Sequence, residues 1–537
     1  MTADQLAAAA DLVARAAVDL QRWQPVPGGV VVVCDRDRRL LTIPFGRADL
    51  ARDVPVTEQH LFEIGSISKA MTSLLVNQLV DAGRMRLDDR LVDHLPWVDV
   101  GPYTQQITID QLLNHTAGLV SGGDALPDDV AQVWTLRRCC ATEPGRHFHY
   151  SNAGYLLLGL VVQAVAGMPH WTMLEKRVLA PLEMSGSLAR IRHRDRDRFA
   201  VGYGPAHDDR PWLPGDPLAP ATWFEVAAAD GNVALDAAGL GQFLRLLVSD
   251  GIVDGRQIVS TAALGRIATT LAPAGEDIAL QHPGYPVTHS RYGLGLNVET
   301  IRGARCLTHG GGMVGYSSFV LADPDEGLAV GTLTNADGDC LAAHLLTRLA
   351  HRLVSSALRG EPFDPVPSFD PAVTAADVPA LLDLRGTGDL GDEVPLDVVA
   401  EQAHALVRSG AVTGRLFRDG YGRLATDHPQ VRANYLHREG QGEETDRFRA
   451  YVGHYRSHSP WFSNLRIVQR SGRLFLIASG GVEAPTSDEE LVPVGEATFR
   501  IGSDAWRPER LTGVATVEGQ VVVLERDGCA YSRTFTP

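Results

Sequence analysis

Phe62-Glu63-Ile64-Gly65-Ser66-Ile67-Ser68-Lys69 opens onto residues 70–80, a nearly continuous apolar run with helical character. Ser66 and Lys69 stand three apart, which on a helix places both side chains on one face, about one turn apart. A serine hydroxyl is a weak nucleophile until a neighbouring base takes its proton, and a lysine desolvated in a pocket can be that base. Gly65 allows a sharp bend, so Ser66 is expected at a helix N-terminus, where the dipole favours developing negative charge. Ala70, Met71, Leu74, Leu75 and Leu79 predict that this helix is buried. Of 49 lysines and arginines, only Lys69 and Lys176 are lysines. Arginine cannot give up its proton in a protein, so lysine at 69 in an arginine-rich chain points to proton chemistry.

The chain around this stretch has 537 residues, enough for about two to four domains. A 45% hydrophobic and 21% charged composition is that of a globular protein with ample core. The net charge of -16 argues against nucleic acid and anionic membrane as partners and otherwise implies only solubility; a small-molecule or peptide substrate is expected. Six cysteines (34, 139, 140, 306, 340 and 529) are scattered without a C-x-x-C, as expected of reduced, partly buried residues; Cys139-Cys140 reads as core packing. The N-terminal residues carry Asp4, Asp11, Arg15 and Asp19 in a helical pattern rather than an apolar leader. The longest apolar stretch, 153–166, is too short to span a bilayer, and a cytoplasmic location is expected.

Residues 5–20 predict an amphipathic helix, and 28–34 with 40–43 a hairpin. The helix after Ser66 should end at Asp81-Ala82-Gly83 on a glycine cap. A helix is expected after Thr108, another over 153–166 behind His147-Phe148-His149-Tyr150-Ser151-Asn152, and a third over 236–248. Strands are expected at 292–298, 306–312, 316–322 and 328–334, then a helix over 341–358. This order predicts an α+β domain, one antiparallel sheet flanked by helices, over residues 1–362. Pro362, Pro365, Pro367 and Pro371 mark a linker, and 363–447 reads as linker plus a partly helical region, with a helix over 396–407. From 448 to 537 the period becomes two, with Ser471-Gly472, Glu518-Gly519 and Asp527-Gly528 turns. About eight short strands there predict a small antiparallel β-barrel.

Three motifs stand in order: Ser66-Ile67-Ser68-Lys69, Tyr150-Ser151-Asn152 and His309-Gly310-Gly311. With Leu112-Leu113-Asn114-His115-Thr116-Ala117-Gly118-Leu119 and the stretch 309–318, they resemble the serine β-lactamase and penicillin-binding-protein superfamily. Within it, the likeness is to class C β-lactamase-like esterases and D-aminopeptidases, over roughly residues 10–360; the barrel is similar to the lipocalin-like domain of some members. The resemblance implies that Ser66 forms an acyl-enzyme, Lys69 takes its proton, and Tyr150 shuttles a proton to the leaving group. It implies that Asn152 binds the lysine or the substrate amide, and that the N–H groups of Ser66 and Gly312 form the oxyanion hole beside Gly311. The third motif begins with His309 where β-lactamases usually have a lysine for the substrate carboxylate, which favours esters, amides and D-peptides over β-lactams. No cofactor or metal is implied; His147-x-His149 lacks further ligands at zinc spacing. Arg507 and Arg510 read as a solvated or structural pair. The leading expectation is hydrolysis of an ester, amide or D-amino-acid peptide bond. The alternative is an acyltransferase or peptide cyclase of secondary metabolism that passes the acyl group to an amine. A non-catalytic binding protein would not need all three motifs. An α/β-hydrolase would need a G-x-S-x-G elbow, which the chain lacks.

Overall fold

Val30-Val31-Val32-Val33 is wholly buried because it forms the middle of a large antiparallel sheet. The computed structural model describes residues 3–122, 130, 133–134, 142–206, 212, 215–276, 285–337, 341–366 and 369. Beyond these it describes the backbone of 397–401, 404–409, 412–418 and 424–426, then residues 446–459, 461, 463–470, 473–478 and 488–533. Two compact units emerge: Met1–Ala206 with Pro217–Pro367 and Trp506–Glu509, and His207–Asp216 with Ser368–Ala505 and Arg510–Pro537.

In the first unit eight of the described strands form one large sheet. Its order is Val287–Tyr292, Asn297–Ile301, Ala304–Met313, Tyr316–Asp323, Leu328–Thr334, Gly28–Asp35, Arg39–Asp49 and Val54–Pro55, antiparallel throughout. Val31 pairs with Thr332 on one side and Ile43 on the other. Successive strand residues point to opposite faces, and both faces are covered. The Thr332 hydroxyl meets Thr347 of the helix Leu341–Arg359 at 2.8 Å, while a Cβ at neighbouring Gly331 would lie 3.0 Å from Leu240 of the helix Ala237–Val248. Cover on both sides is why these strands read as continuous apolar runs rather than as alternation.

The second unit holds a closed antiparallel barrel of eight described strands, from Gly453–Arg456 to Cys529–Arg533, and Tyr455↔Arg533 closes it. Tyr455, Leu465, Leu476, Phe499, Leu511 and Tyr531 alternate into its core. Where a helix is expected over 396–407, the chain forms Asp397–Glu401 and His404–Ser409, the first two strands of a four-stranded meander. Two-residue gaps at 402–403 and 410–411 are hairpin spacings, and Val398, Val399 and Val407 are β-branched, so the period of two prevails.

The single strand expected over 292–298 is two strands broken at Gly293–Leu296. Gly295 takes φ +93°, and the Gly293 N–H donates to Leu296 O at 2.7 Å. Cys34, Cys306 and Cys529 are buried and are in no disulfide among the described residues. Cys139, Cys140 and Cys340 lie outside the described residues. Among the described residues no single helix is long and apolar enough to cross a membrane.

Candidate active site

Phe62–Glu63 pairs with Ala234–Leu235, and the chain then turns at Gly65, φ +50°, into a 3₁₀ turn, Gly65–Ile67. The α-helix starts only at Ser68 and runs to Asp81, so Ser66 precedes it rather than heading it. A Cβ at 65 would lie 2.6 Å from Gly312 O and 3.0 Å from Gly312 N, so glycine is required by both conformation and space. A Cβ at Gly311 would lie 1.9 Å from Ile64 O. The glycine run of the strand Ala304–Met313 is therefore what lets the Ser66 turn rest directly on the sheet.

Lys69 is completely buried. Its Nζ donates to Ser66 Oγ at 2.8 Å and to Asp230 O at 3.0 Å, and lies 5.0 Å and 5.6 Å from the ring centres of Tyr150 and Tyr155. The other lysine, Lys176, is exposed. Burial raises the Asp230 carboxyl above its ordinary value despite the attraction of Lys69. The turn between Tyr292 and Asn297 backs this helix: Ser73 Oγ donates to Leu294 O at 2.5 Å, and Gly295 packs on Ser73 and Lys69 O.

Tyr150 arrives on a chain held by its backbone. His149 N–H donates to His115 O at 2.9 Å, Tyr150 N–H to Glu276 Oε2 at 3.1 Å, and Ser151 N–H to His115 Nδ1 at 2.9 Å. Because His115 Nδ1 accepts, its proton sits on Nε2, and burial drives its pKa far down, so the ring is neutral. It lies 4.2 Å from the Tyr150 ring. The Tyr150 hydroxyl is buried with no hydrogen-bond partner among the described residues. Ser151, not Asn152, caps the following helix, Asn152–Ala166, by accepting from Gly154 N–H at 3.1 Å. Asn152 is the first helical residue; its N–H donates to Ser121 O at 2.7 Å, and its Oδ1 has no partner among the described residues.

His309 sits behind these groups, its ring 6.3 Å from that of Tyr150. Burial, followed by repulsion from Lys69, pushes its pKa down to about 3. Its Nδ1 lies 2.5 Å from Gly310 O and so carries the proton, while Nε2 lies 2.8 Å from the Tyr292 hydroxyl and accepts from it. His309 is a neutral, fully engaged side chain.

A family model for beta-lactamase matches residues 13–354. The chain belongs to the β-lactamase family. Penicillin-binding protein 4 of Amycolatopsis lactamdurans is 28% identical over 322 residues, 58% of this chain and 81% of that one. The octameric penicillin-binding protein homologue from Pyrococcus abyssi superposes over 99% of this chain and 100% of its own, with TM-score 0.54 and 17% identity. D-amino acid amidase from Ochrobactrum anthropi SV3 covers 66% of this chain and 99% of its own, with TM-score 0.54 and 22% identity. At those identities the two structures speak for the fold alone.

In this β-lactamase-family chain several neighbours of the motifs carry no mark in the sequence. Asp230, Glu276, Tyr292 and Glu509 are brought in from distant segments with no local pattern to single them out. His115 belongs to one of the family-like stretches, which gives it no role of its own; its φ of +59° is the structural sign of its special position. His147 and His149 are engaged by other side chains. His147 stacks on Trp506 at 5.1 Å, and both ring nitrogens of His149 face carboxylates, Glu276 at 3.3 Å and Glu509 at 2.5 Å. Asp323, Glu326 and His351 do bring ligand atoms within 4.8 Å of one another. Ser355 and Arg359 already hold the Glu326 carboxylate, however, and Arg359, Arg302 and Arg348 all act on His351, a poor setting for a cation.

Proposed function

We propose that this hydrolase of the serine β-lactamase type cleaves an amide or peptide bond through an acyl-enzyme on Ser66. The observation that carries the reading is the 2.8 Å contact between Lys69 Nζ and Ser66 Oγ, made by a lysine wholly withdrawn from water. In the acylation step Ser66 Oγ bonds to the substrate carbonyl carbon, and its proton passes to Lys69 or through it to Tyr150. The carbonyl oxygen gains the charge and is met by the N–H groups of Ser66 and Gly312. Collapse breaks the C–N bond, and Tyr150, whose hydroxyl is otherwise unpartnered, protonates the departing amine. Water then attacks the ester with Tyr150 and Lys69 in reversed roles. The unpaired Asn152 Oδ1 is available to a substrate N–H.

Neutral His309 supplies no cation for a substrate carboxylate. That supports amides and short peptides over β-lactams, and an amide is the substrate that gives the D-amino acid amidase neighbour its name. The test is intact-protein mass spectrometry with a fluorophosphonate, followed by turnover of D- and L-amino acid amides, active esters and a β-lactam, each with and without added amine. One label per chain, lost in Ser66→Ala, with amide turnover exceeding β-lactam turnover, is expected. Labelling that survives Ser66→Ala overturns the assignment, and product diverted to the amine at constant acylation rate would make the protein an acyltransferase.

A further inference from the structure

We propose that Glu276 and Glu509 are positioning residues that hold His149-Tyr150-Ser151-Asn152 in register with Ser66 and Lys69. The proposal rests on the reading of Tyr150 as the acid–base group. Its geometry lies entirely within the first unit, to which the segment Trp506–Glu509 belongs although the chain on either side of it does not.

The Glu509 side chain is 6% exposed. A carboxylate buried this far is tolerated only when hydrogen-bonded and paired. Its Oε1 accepts from His149 Nε2 at 2.5 Å and from Ser121 N–H at 2.9 Å. The Ser121 carbonyl in turn accepts from Asn152 N–H at 2.7 Å and Ala153 N–H at 3.3 Å, two of the amides that a helix start leaves without intrahelical partners. Glu276 works from the other side. Its Oε2 lies 3.3 Å from His149 Nδ1 and accepts from Tyr150 N–H at 3.1 Å.

The two carboxylates therefore bracket the stretch. One fixes His149 and Tyr150, and the other fixes His149 and, through Ser121, Asn152. Burial alone would lower the His149 pKa, but the carboxylates of Glu276 and then Glu509 push it up to about 9; Nε2 donates to Glu509, while Nδ1 faces Glu276 as an ion pair. Burial would raise the Glu509 carboxyl, and the hydrogen bond from His149 outweighs it and holds it below its usual range.

Tyr150 needs such a hold. Its hydroxyl makes no hydrogen bond of its own, so backbone and ring contacts alone decide where it stands. A misplacement of about 1 Å in a catalytic group costs on the order of 10²-fold in rate. A relay role for the triad is not available, because the Glu509–His149–Glu276 contacts reach the backbone of residue 150 and not its hydroxyl.

The experiment measures p-nitrophenyl acetate hydrolysis and the rate of fluorophosphonate labelling of Ser66 in the full chain, with Tm recorded for every variant. Glu276→Ala and Glu509→Ala are each expected to lower kcat about 10- to 100-fold with KM changed less than about threefold. Glu509→Gln, which still accepts from His149 and Ser121, should recover most of the loss. In a Tyr150→Phe background, Glu509→Ala should have almost no further effect, because the residue it positions is already inactive. An equal loss in both backgrounds, or a fall in Tm with kcat unchanged, overturns the positioning role. Should Glu509→Ala not fold, Glu276→Ala in the two backgrounds decides by the same criterion. Tyr150→Phe at wild-type rate would instead overturn the acid–base reading itself, and the positioning role with it.

Discussion

Ser66 and Tyr150 face the same buried lysine but are put there by opposite means. The Ser66 turn is placed chiefly by its own neighbours in sequence: Gly65 bends the chain and Lys69 follows one turn later; from the distant sheet it takes only the Gly311-Gly312 backbone beneath it. The Tyr150 stretch has no such local frame. It is tied down by His115, Ser121, Glu276 and Glu509, the last of these 360 positions away from His149. Chemistry assembled locally leaves a motif, whereas chemistry assembled by distant side chains leaves only the residue that is held.

The most severe way to break the local half is at its proton path. Ser66→Ala should abolish labelling, and Lys69→Ala should lower turnover by about 10⁴-fold or more. Lys69→Arg should be nearly as damaging, because a guanidinium keeps the charge without releasing a proton and is too large for a site with no exposed surface. Turnover near wild type in Lys69→Arg would leave lysine only an electrostatic role.

Next in size is the distant half. Tyr150→Phe keeps the ring contacts with His115 and Lys69 and removes only the hydroxyl. Steady-state kinetics should show a loss of about 10²- to 10⁴-fold with Tm essentially unchanged. Gly311→Ala tests the support that the local half borrows from the sheet. Its Cβ would lie 1.9 Å from Ile64 O and 2.5 Å from Ser318 Oγ, so either the strand or the Ser66 turn must move. Overpacking of this kind costs about 1–3 kcal/mol, and a displaced turn should slow labelling by about 10²-fold. A crystal structure showing neither displaced would contradict that account.

The same contrast explains what could be read from the chain. The sheet was legible because Val30–Val33 and the strands around 306–334 are apolar runs of strand length between turn residues. The barrel was legible from its period of two. Residues 396–407 read as helix because a short mixed stretch satisfies either period, and the gap that splits it is Gln402-Ala403, which carries none of the usual turn residues. The break inside 292–298 turns on one backbone angle, at Gly295. Glu276 and Glu509 carry no sequence signal, since an acidic residue in a loop is usually a solvated one.

The smallest expected effect on turnover, and the finest test of the contrast, is pH. Just ahead of Ser66, burial pushes the Glu63 carboxyl from its ordinary 4.5 up to about 8. A raised carboxyl contributes stability that is complete below pH 4.5 and disappears as pH climbs through 8, because the unfolded chain ionises first. His149 is also raised, from 6.5 to about 9, so its contribution is complete below pH 6.5 and lost through 9. At about 1.4 kcal/mol per pKa unit, each amounts to a few kcal/mol. The two regions thus lose stability in staggered windows, and a melting curve against pH separates them. Glu63→Gln should flatten Tm between about pH 4.5 and 6.5 and make the decline up to pH 8 shallower, leaving only the part that His149 contributes through pH 9. Glu509→Gln weakens the pairing that keeps His149 charged, so it should flatten the upper window and leave the lower one. A Glu63→Gln curve that tracks wild type below pH 6.5 would mean that Glu63 is ionised in the fold. The local half would then carry an unneutralised charge beside the Ser66 turn, and its apparent self-sufficiency would have to be given up.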